Sequence, residues 1–496
     1  MPAAPPRRCC PWPAGSYHRT VKILRRLKDG SLLGVSGRDI TYLSSGALIS
    51  QIVLVVGQIV TARLYTPEEF GHFAVVLAWA NILAVLATLR YETAIPLAAT
   101  DEEAGALARL CLITSTVTSL VVMTLLWASA TSGAELIATP GAWWGVPLLL
   151  WGTAAFAAVR MFAGRAGAFG RVGRAGVVAS VGQVGVQVGL GVAGVSSGLI
   201  AGQGVGRVLN AAWIGAGGAL RSGGSLRQVV TRWKRMPLLN TVPALLNVIS
   251  VGAVAPLVAR WFGVALAGQF GFATRLLAAP AVLLGQAVSQ VMFPRLARLE
   301  RTSGEAGAQL RRATEALTLV SLPVFSVVWL LGPEAFAVVF GEQWREAGLL
   351  AAIMAPWLAA NFVSSPLSTY ATVRDQLGRI LLISVVEATV RLAGLYAGVS
   401  AGSAIVGIAL YSLAGLGICV AFTGWVLALG GVGRRGLLRD LAVPLVIAAA
   451  AAAVSVGTRW AGAPTWVVVA VGVAGVLAVS VPCARRVLRL LPGRSR

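Results

Sequence analysis

Apolar runs of about 20 residues recur between residues 41 and 482, separated by short polar or basic turns. Runs of that length fit helices crossing a hydrocarbon core of ~30 Å, and no alternating ten-residue strand pattern suggests a barrel. The pattern predicts fourteen transmembrane helices, at roughly 41–62, 70–90, 107–128, 143–163, 175–194, 198–217, 238–260, 268–292, 314–331, 347–370, 379–398, 402–429, 440–457 and 464–482. The first two form a hairpin around Thr66, Pro67, Glu68, Glu69 and Gly71. Along its first helix Ser44, Gln51 and Gln58 recur every seven residues. Each step drifts by only about 20° on the helical wheel, so the three share one face.

Composition agrees with the pattern. With 57% hydrophobic and 12% charged residues in 496 and a mean hydropathy of +0.80, the chain lies far from the roughly 25% charged content of soluble domains. It reads as an all-α polytopic membrane protein. A net charge of +23 would ordinarily suggest a nucleic-acid partner, but its placement argues against one. The basic residues gather in alternate gaps: Arg165, Arg171 and Arg174; then Arg221, Arg227, Arg232, Lys234 and Arg235; then Arg295, Arg298, Arg301, Arg311 and Arg312. Only Arg63, Arg260, Arg345 and Arg459 fall in the opposite gaps. That is the positive-inside pattern, and it predicts cytoplasmic termini on a multi-pass membrane protein. Residues 1–36 lack the continuous apolar core of a cleavable signal and read as a cytoplasmic basic tail. The five cysteines show no metal or disulfide spacing; free thiols are expected, with lipidation open at Cys9 and Cys10. Trp143, Trp144, Trp233 and Trp460, near run ends, read as interface anchors.

Sliding the opening hairpin by 197 residues places Ala47-Leu48-Ile49-Ser50 on Ala244-Leu245-Leu246-Asn247, Ala62-Arg63-Leu64-Tyr65 on Ala259-Arg260-Trp261-Phe262, and Gly71-His72-Phe73 on Gly268-Gln269-Phe270. Six helices separate the copies, so both run the same way and their symmetry axis lies along the membrane normal. The expected architecture is two six-helix lobes related by a parallel repeat, plus two C-terminal helices. By residue, it runs as an N-lobe at 37–217, a basic cytoplasmic linker at 218–236, a C-lobe at 237–430, and a last helix pair with a basic tail at 431–496.

Within the runs, charge is rare enough to be informative. Arg275 stands well inside the eighth helix, where a central Arg costs ~2.5–3.5 kcal/mol on insertion scales and usually faces a cavity or a partner. Gln286 and Gln290 extend a polar stripe on its side of the helix, and Asn247 repeats Ser50 in the seventh. Amides in membrane helices serve equally as helix contacts. Arg207 follows Gly198, Gly202 and Gly206, whose spacing of four admits a close backbone; a cavity charge and a buried structural pair both fit it. Gly202-Gln203-Gly204-Val205-Gly206 lacks the strand and lysine of a phosphate loop. Glu387 and Arg391 stand one turn apart in the favourable order, as an intrahelical pair or an ion-coupling site. Arg90, Glu92 and Arg160 lie near helix ends, where long side chains snorkel; Arg90 and Arg160 are also candidates for an anion-attracting vestibule. His18 and His72 make no metal site, and no catalytic constellation is visible, so no cofactor and no enzymatic activity are expected.

The segments QIVTARLYTPEEFGHFAV (58–75), LRYETAIPLA (89–98), GLIAGQGVGRVLN (198–210), PRLARL (294–299) and FGEQWREAG (340–348) resemble the Wzx-like polysaccharide flippases of lipopolysaccharide biosynthesis, within the multidrug, oligosaccharidyl-lipid and polysaccharide (MOP) exporter superfamily. The resemblance covers about residues 38–482 and implies two six-helix lobes around a central cavity. It also implies transfer of an undecaprenyl-diphosphate-linked oligosaccharide to the outer leaflet by alternating access. Cavity arginines would hold the diphosphate: Arg275 first, then Arg207, Arg90 and Arg160, with Gln51, Gln58, Gln286 and Asn247 toward the sugar. Membrane lipids, and the polymerase or ligase machinery of surface glycans, are the partners it implies for a monomeric protein. Two other readings are a cation-coupled multidrug exporter, which would be expected to carry an acid in its first helix where none follows Asp39, and a membrane glycan ligase or polymerase. The latter needs catalytic groups on a sizeable external loop, whereas the most charged one here runs only from Gly332 to Glu346.

Overall fold

The structure is a computed structural model that describes residues 37–132, 139–215, 224–234, 252–278 and 306–490, with a few isolated positions between them. Among the described residues it is all helix, apart from turns and short connections. The first six spans are α1 (Gly37–Leu64), α2 (Pro67–Thr88), α3 (Asp101–Thr131), α4 (Ala142–Arg165), α5 (Phe169–Val192) and α6 (Gly198–Gly215). The seventh span is described at α7 (Val254–Phe262) and the eighth at α8 (Val264–Ala278). Then come α9 (Ala306–Phe340), α10 (Arg345–Val373), α11 (Leu377–Ser400), α12 (Ala404–Leu429), α13 (Arg434–Trp460) and α14 (Thr465–Leu490). Ten of these helices are long and apolar enough to cross a membrane, and the others coincide with the remaining expected spans. The protein is a multi-pass membrane protein.

Neighbour relations follow small residues. α1 packs on α5, α5 on α6, α6 on α4, and α4 on α2 and α3. In the second bundle α9 packs on α10, α13 and α14, while α12 packs on α10 and α11. The outward sides of α3 and α11 present Val117, Leu125, Leu382 and Val390, as expected of helices solvated by lipid.

The α1–α2 turn shows how local sequence sets the geometry. Thr66 caps α2 by accepting from the Glu69 amide at 3.3 Å, the Glu69 carboxylate accepts from the Thr66 amide at 2.7 Å, and Pro67 opens the helix. The face carrying this turn, hereafter the Thr66 face, brings the two repeats together. A Cβ on Gly71 would lie 1.9 Å from the Val264 carbonyl oxygen, and one on Gly268 would lie 1.8 Å from that of Pro67. Gly71 and Gly268, like Pro67 and Val264, are 197 residues apart. The contact is therefore reciprocal, as a two-fold axis along the membrane normal requires.

Several boundaries differ from expectation: α3 starts at Asp101 and α9 at Ala306, six and eight residues early, and α14 runs on to Leu490. The stretch Gly332–Phe340 is not loop but the last turns of α9. Gly332 and Gly348 pack backbone to backbone, so that a Cβ on either would meet the other's carbonyl oxygen within 2.4 Å; that contact holds the stretch against α10 despite Pro333. Between α2 and α3 a short 3-10 helix, Tyr91–Leu97, lies where a plain turn was expected. Asn247, Gln286 and Gln290 lie outside the described residues.

Candidate functional site

Arg275 lies eleven residues into α8, about 16 Å along its axis. Its Nη2 donates to Gln203 Oε1 of α6 at 3.1 Å, and the guanidinium sits 5.3 Å from the Phe73 ring centroid of α2. Gln203 Oε1 accepts a second bond from Gln183 Nε2 of α5 at 3.0 Å. One turn along α5, Gln187 Nε2 donates to the Leu199 carbonyl at 3.1 Å. Gln58 and Thr61 of α1 join Gln183, Gln187 and Arg275 around a cavity of ≈ 10 Å³ capped by Phe70, room for about one water.

The glycines of α6 explain why these groups meet. Side chains added at Gly198, Gly202 and Gly206 would strike the Tyr65 hydroxyl at 2.0 Å, Gln187 Cγ at 2.3 Å and Gln183 Cβ at 2.9 Å respectively. Each glycine thus seats one polar side chain of the neighbouring helices. Gln183, Gln187 and Gln203 are buried, and sequence reasoning missed all three as site residues. Their signal was present: an amide pair four apart in α5, facing the four-residue glycine spacing of α6.

Arg207 follows Gln203 by one helical turn. Gly152 of α4 makes room for it, since a Cβ there would lie 2.7 Å from Arg207 Cβ. Arg160, further along α4, lies 5.4 Å from the Phe156 centroid. Arg275, bonded to Gln203 one turn before Arg207, and Arg160, about two turns past Gly152 on α4, stand on either side of Arg207. The three form a run of cations from the Arg165 end of the bundle to its middle, and among the described residues no carboxylate pairs with any of them.

The other candidates are placed differently. Arg90, with left-handed backbone at φ 60°, bonds to buried Glu92 at 3.2 Å, so its charge is already compensated. Gln51 is half-buried on α1 and is not among the groups lining the Arg275 cavity. Arg391 bonds to Glu387 at 2.9 Å and lies between the Trp357 and Tyr411 rings, 3.8 and 4.0 Å from their centroids. This pair belongs to the second bundle and is separate from the arginine run. A larger cavity, ≈ 710 Å³ and nearly all apolar, lies between α9, α10, α12 and α13, bounded by Leu322, Phe325, Trp329, Val363, Leu427 and Leu445.

The model of a family described as polysaccharide biosynthesis proteins matches residues 60–348, more than half of the chain. The chain belongs to that family. Over 124 residues it is 25% identical to the succinoglycan biosynthesis transport protein ExoT of Rhizobium meliloti (strain 1021), an alignment covering 25% of this chain and 24% of ExoT. Among solved structures, the lipid II flippase MurJ in an inward closed conformation superposes with a TM-score of 0.66 over 90% of this chain and 99% of MurJ, at 12% identity. An inward-facing multidrug resistance MATE family transporter of the MOP superfamily gives 0.57 over 82% of this chain and 98% of its own, at 16% identity. This polysaccharide biosynthesis protein shares its fold with both.

Proposed function

We propose that this protein is a flippase that carries an undecaprenyl-diphosphate-linked oligosaccharide from the cytoplasmic to the outer leaflet of a bacterial inner membrane. The observation that carries this reading is the run Arg160, Arg207 and Arg275 without an acidic partner among the described residues. Cations left uncompensated at membrane depth are costly and mark an anion's path, and guanidinium matches phosphate geometry with paired donors. On the orientation the charge pattern implies, both termini are cytoplasmic and the run starts near the cytoplasmic face. Arg160 and Arg207 receive the diphosphate, Arg275 holds it near the middle, and amides such as Gln58 meet the sugar. The apolar cavity beside α13 suits part of a prenyl chain. Flipping breaks no covalent bond, so the protein needs no catalytic group and no cofactor.

Alternating access then means that the contacts on the Thr66 face, here external, open while the cytoplasmic side closes, by rocking of the two repeats. Arg90, paired to Glu92, holds the end of α2 rather than substrate. A cation-coupled drug exporter is the weaker reading, because the charge at the heart of the site is basic.

The test is deletion of the gene followed by analysis of lipid-linked intermediates. Accumulation of an undecaprenyl-diphosphate glycan on the inner leaflet, reversed by the intact gene, is expected. Unchanged surface glycan together with lost drug resistance overturns the proposal.

A further inference from the structure

The Thr66 face is closed by a set of bonds that converge on the end of α1. A helix leaves its last carbonyls unpaired, and here the segment between α9 and α10 takes them up. Trp344 Nε1 donates to the Ala62 carbonyl at 2.7 Å, and Gln343 Nε2 donates to the carbonyls of Ala62 at 2.8 Å and Tyr65 at 3.3 Å. Gln269 of α8 orients that segment, donating to the Gln343 carbonyl at 2.7 Å and accepting from the Ala347 amide at 2.9 Å. Arg63 reaches across to the Val339 carbonyl at 3.1 Å. Trp344 is fully buried, with the Phe70 ring edge-on at 4.9 Å.

Tyr65 belongs to this seal and is bonded to α5, the helix that carries the amides of the Arg275 site, without itself lining the cavity. Its carbonyl accepts from Gln343, while its hydroxyl donates to the Gln187 carbonyl at 2.7 Å. Gln187 and Gln183, one turn apart on α5, lead through Gln203 to Arg275. Phe70 makes a second link, since it caps the Arg275 cavity and touches Trp344.

We infer that Tyr65 couples the two, so that an anionic diphosphate at Arg275 releases the external seal through Gln203, the α5 amides and the Tyr65 hydroxyl. The inference rests on the proposed role of Arg275. A diphosphate oxygen is a stronger acceptor than an amide, so a bound diphosphate takes the Arg275 N–H from Gln203 Oε1. Gln203 and Gln183 then rearrange in a site with room for little more than one water, and the displacement reaches Tyr65 through the turn of α5 that its hydroxyl holds. Differential affinity of the ligand for the open arrangement drives the change.

The test uses the full chain in lipid nanodiscs, with native cysteines replaced by serine and spin labels at Glu68→Cys and Val338→Cys. Both side chains are exposed on the Thr66 face; the Val338 carbonyl also accepts from Arg63 at 3.3 Å, a backbone bond that the cysteine substitution keeps. The probe is farnesyl diphosphate, with inorganic pyrophosphate in parallel to separate the headgroup from the lipid. Saturating farnesyl diphosphate is expected to lengthen the label–label distance in the parent, while Tyr65→Phe binds the probe within about threefold of the parent and shows no lengthening. Gln343→Leu, which cuts the seal directly, is expected to give the longer distance without probe. Tyr65→Phe responding like the parent, or Gln343→Leu staying short without probe, overturns the coupling and leaves the charge site standing. Failure of the parent to bind either probe, or binding unchanged by Arg275→Ala, overturns the role of Arg275 and the coupling with it.

Discussion

Gly71 of α2 and Gly268 of α8 meet on the Thr66 face so closely that neither helix has room for a methyl group: the added carbon would lie 1.9 or 1.8 Å from a backbone carbonyl of the other helix. The pair marks where one repeat turns against its copy. It also sits beside the Phe70, Phe272 and Trp344 cluster, in which Phe272 lies 4.2 Å from Trp344 and 5.3 Å from Phe70.

Gly71→Ala and Gly268→Ala are each expected to separate α2 from α8. Backbone cannot yield as a flexible side chain does, so each should cost about 1–3 kcal/mol of overpacking. Because both changes relieve the same approach, the double variant should lose less than the sum of the two. Thermal unfolding of the purified protein in detergent, followed by the fraction remaining monodisperse, checks this; full additivity would show that the glycines do not share a contact.

Arg275→Ala is expected to abolish transport while leaving membrane insertion intact, since the seal and the helix contacts remain. Arg275→Lys keeps the charge but loses the planar fork that reaches both Gln203 and the Phe73 face. A charge-assisted hydrogen bond is worth ~1.5–3 kcal/mol, so a loss of at least about tenfold is expected for Lys. Complementation of the deletion strain, scored by lipid-linked intermediates, measures both. Normal transport by the Ala variant removes Arg275 from the site.

Much of this fold was legible in the apolar pattern because a ~30 Å core imposes a nearly fixed run length; the 197-residue echo matched Gly71 with Gly268 as equivalents, but only the structure shows that they touch. Arg275 stood out for a similar reason: an isolated charge in an apolar helix is expensive enough to need a purpose. Gln183, Gln187 and Gln203 were harder to see. An amide is cheap in a membrane helix, and its role depends on which neighbour faces it; Gly198, Gly202 and Gly206 advertised a close approach without naming the side chains they would seat. The same limit hid the run of α9 past Gly332, because the backbone of Gly348 that holds it comes from another helix.

The clamp around Arg391 separates two roles for Glu387. If the pair only ties α10, α11 and α12 together, Arg391→Leu should destabilise by on the order of 2 kcal/mol. That is below the roughly 3–5 kcal/mol of a fully buried pair, because the Glu387 side chain is 30% exposed. The double change Glu387→Leu with Arg391→Leu should then restore most of the loss, and transport should keep its dependence on the ion gradient. If the pair carries coupling, Glu387→Gln instead abolishes that dependence at unchanged melting temperature. Transport into inverted vesicles with and without an imposed proton gradient, alongside melting curves, distinguishes the two.

On the opposite face Glu103 has three simultaneous tasks. Its carboxylate accepts from the Ala99 amide at 2.8 Å, helping to cap α3; it accepts from Trp233 Nε1 at 2.9 Å; and it pairs with Arg232 at 3.3 Å. Trp233 and Arg232 end the short helix Leu226–Arg232 of the linker, which is further held by Arg109 Nη2 donating to the Gly224 carbonyl at 2.6 Å. Glu103→Ala should therefore release the linker as well as weaken the start of α3. The cap alone is worth about 1 kcal/mol, and the ion pair, whose Arg232 end is exposed, adds less than that. The expected readout is faster tryptic cleavage after Arg227 and Arg232 in inside-out vesicles. Trp233→Phe, which keeps the ring but not its N–H, should fall between Glu103→Ala and the parent. High salt should accelerate cleavage of the parent only slightly, because the Trp233 bond is neutral on the donor side. If the Glu103→Ala linker is cut no faster than that of the parent, the linker is held by the Arg109–Gly224 bond and not by Glu103.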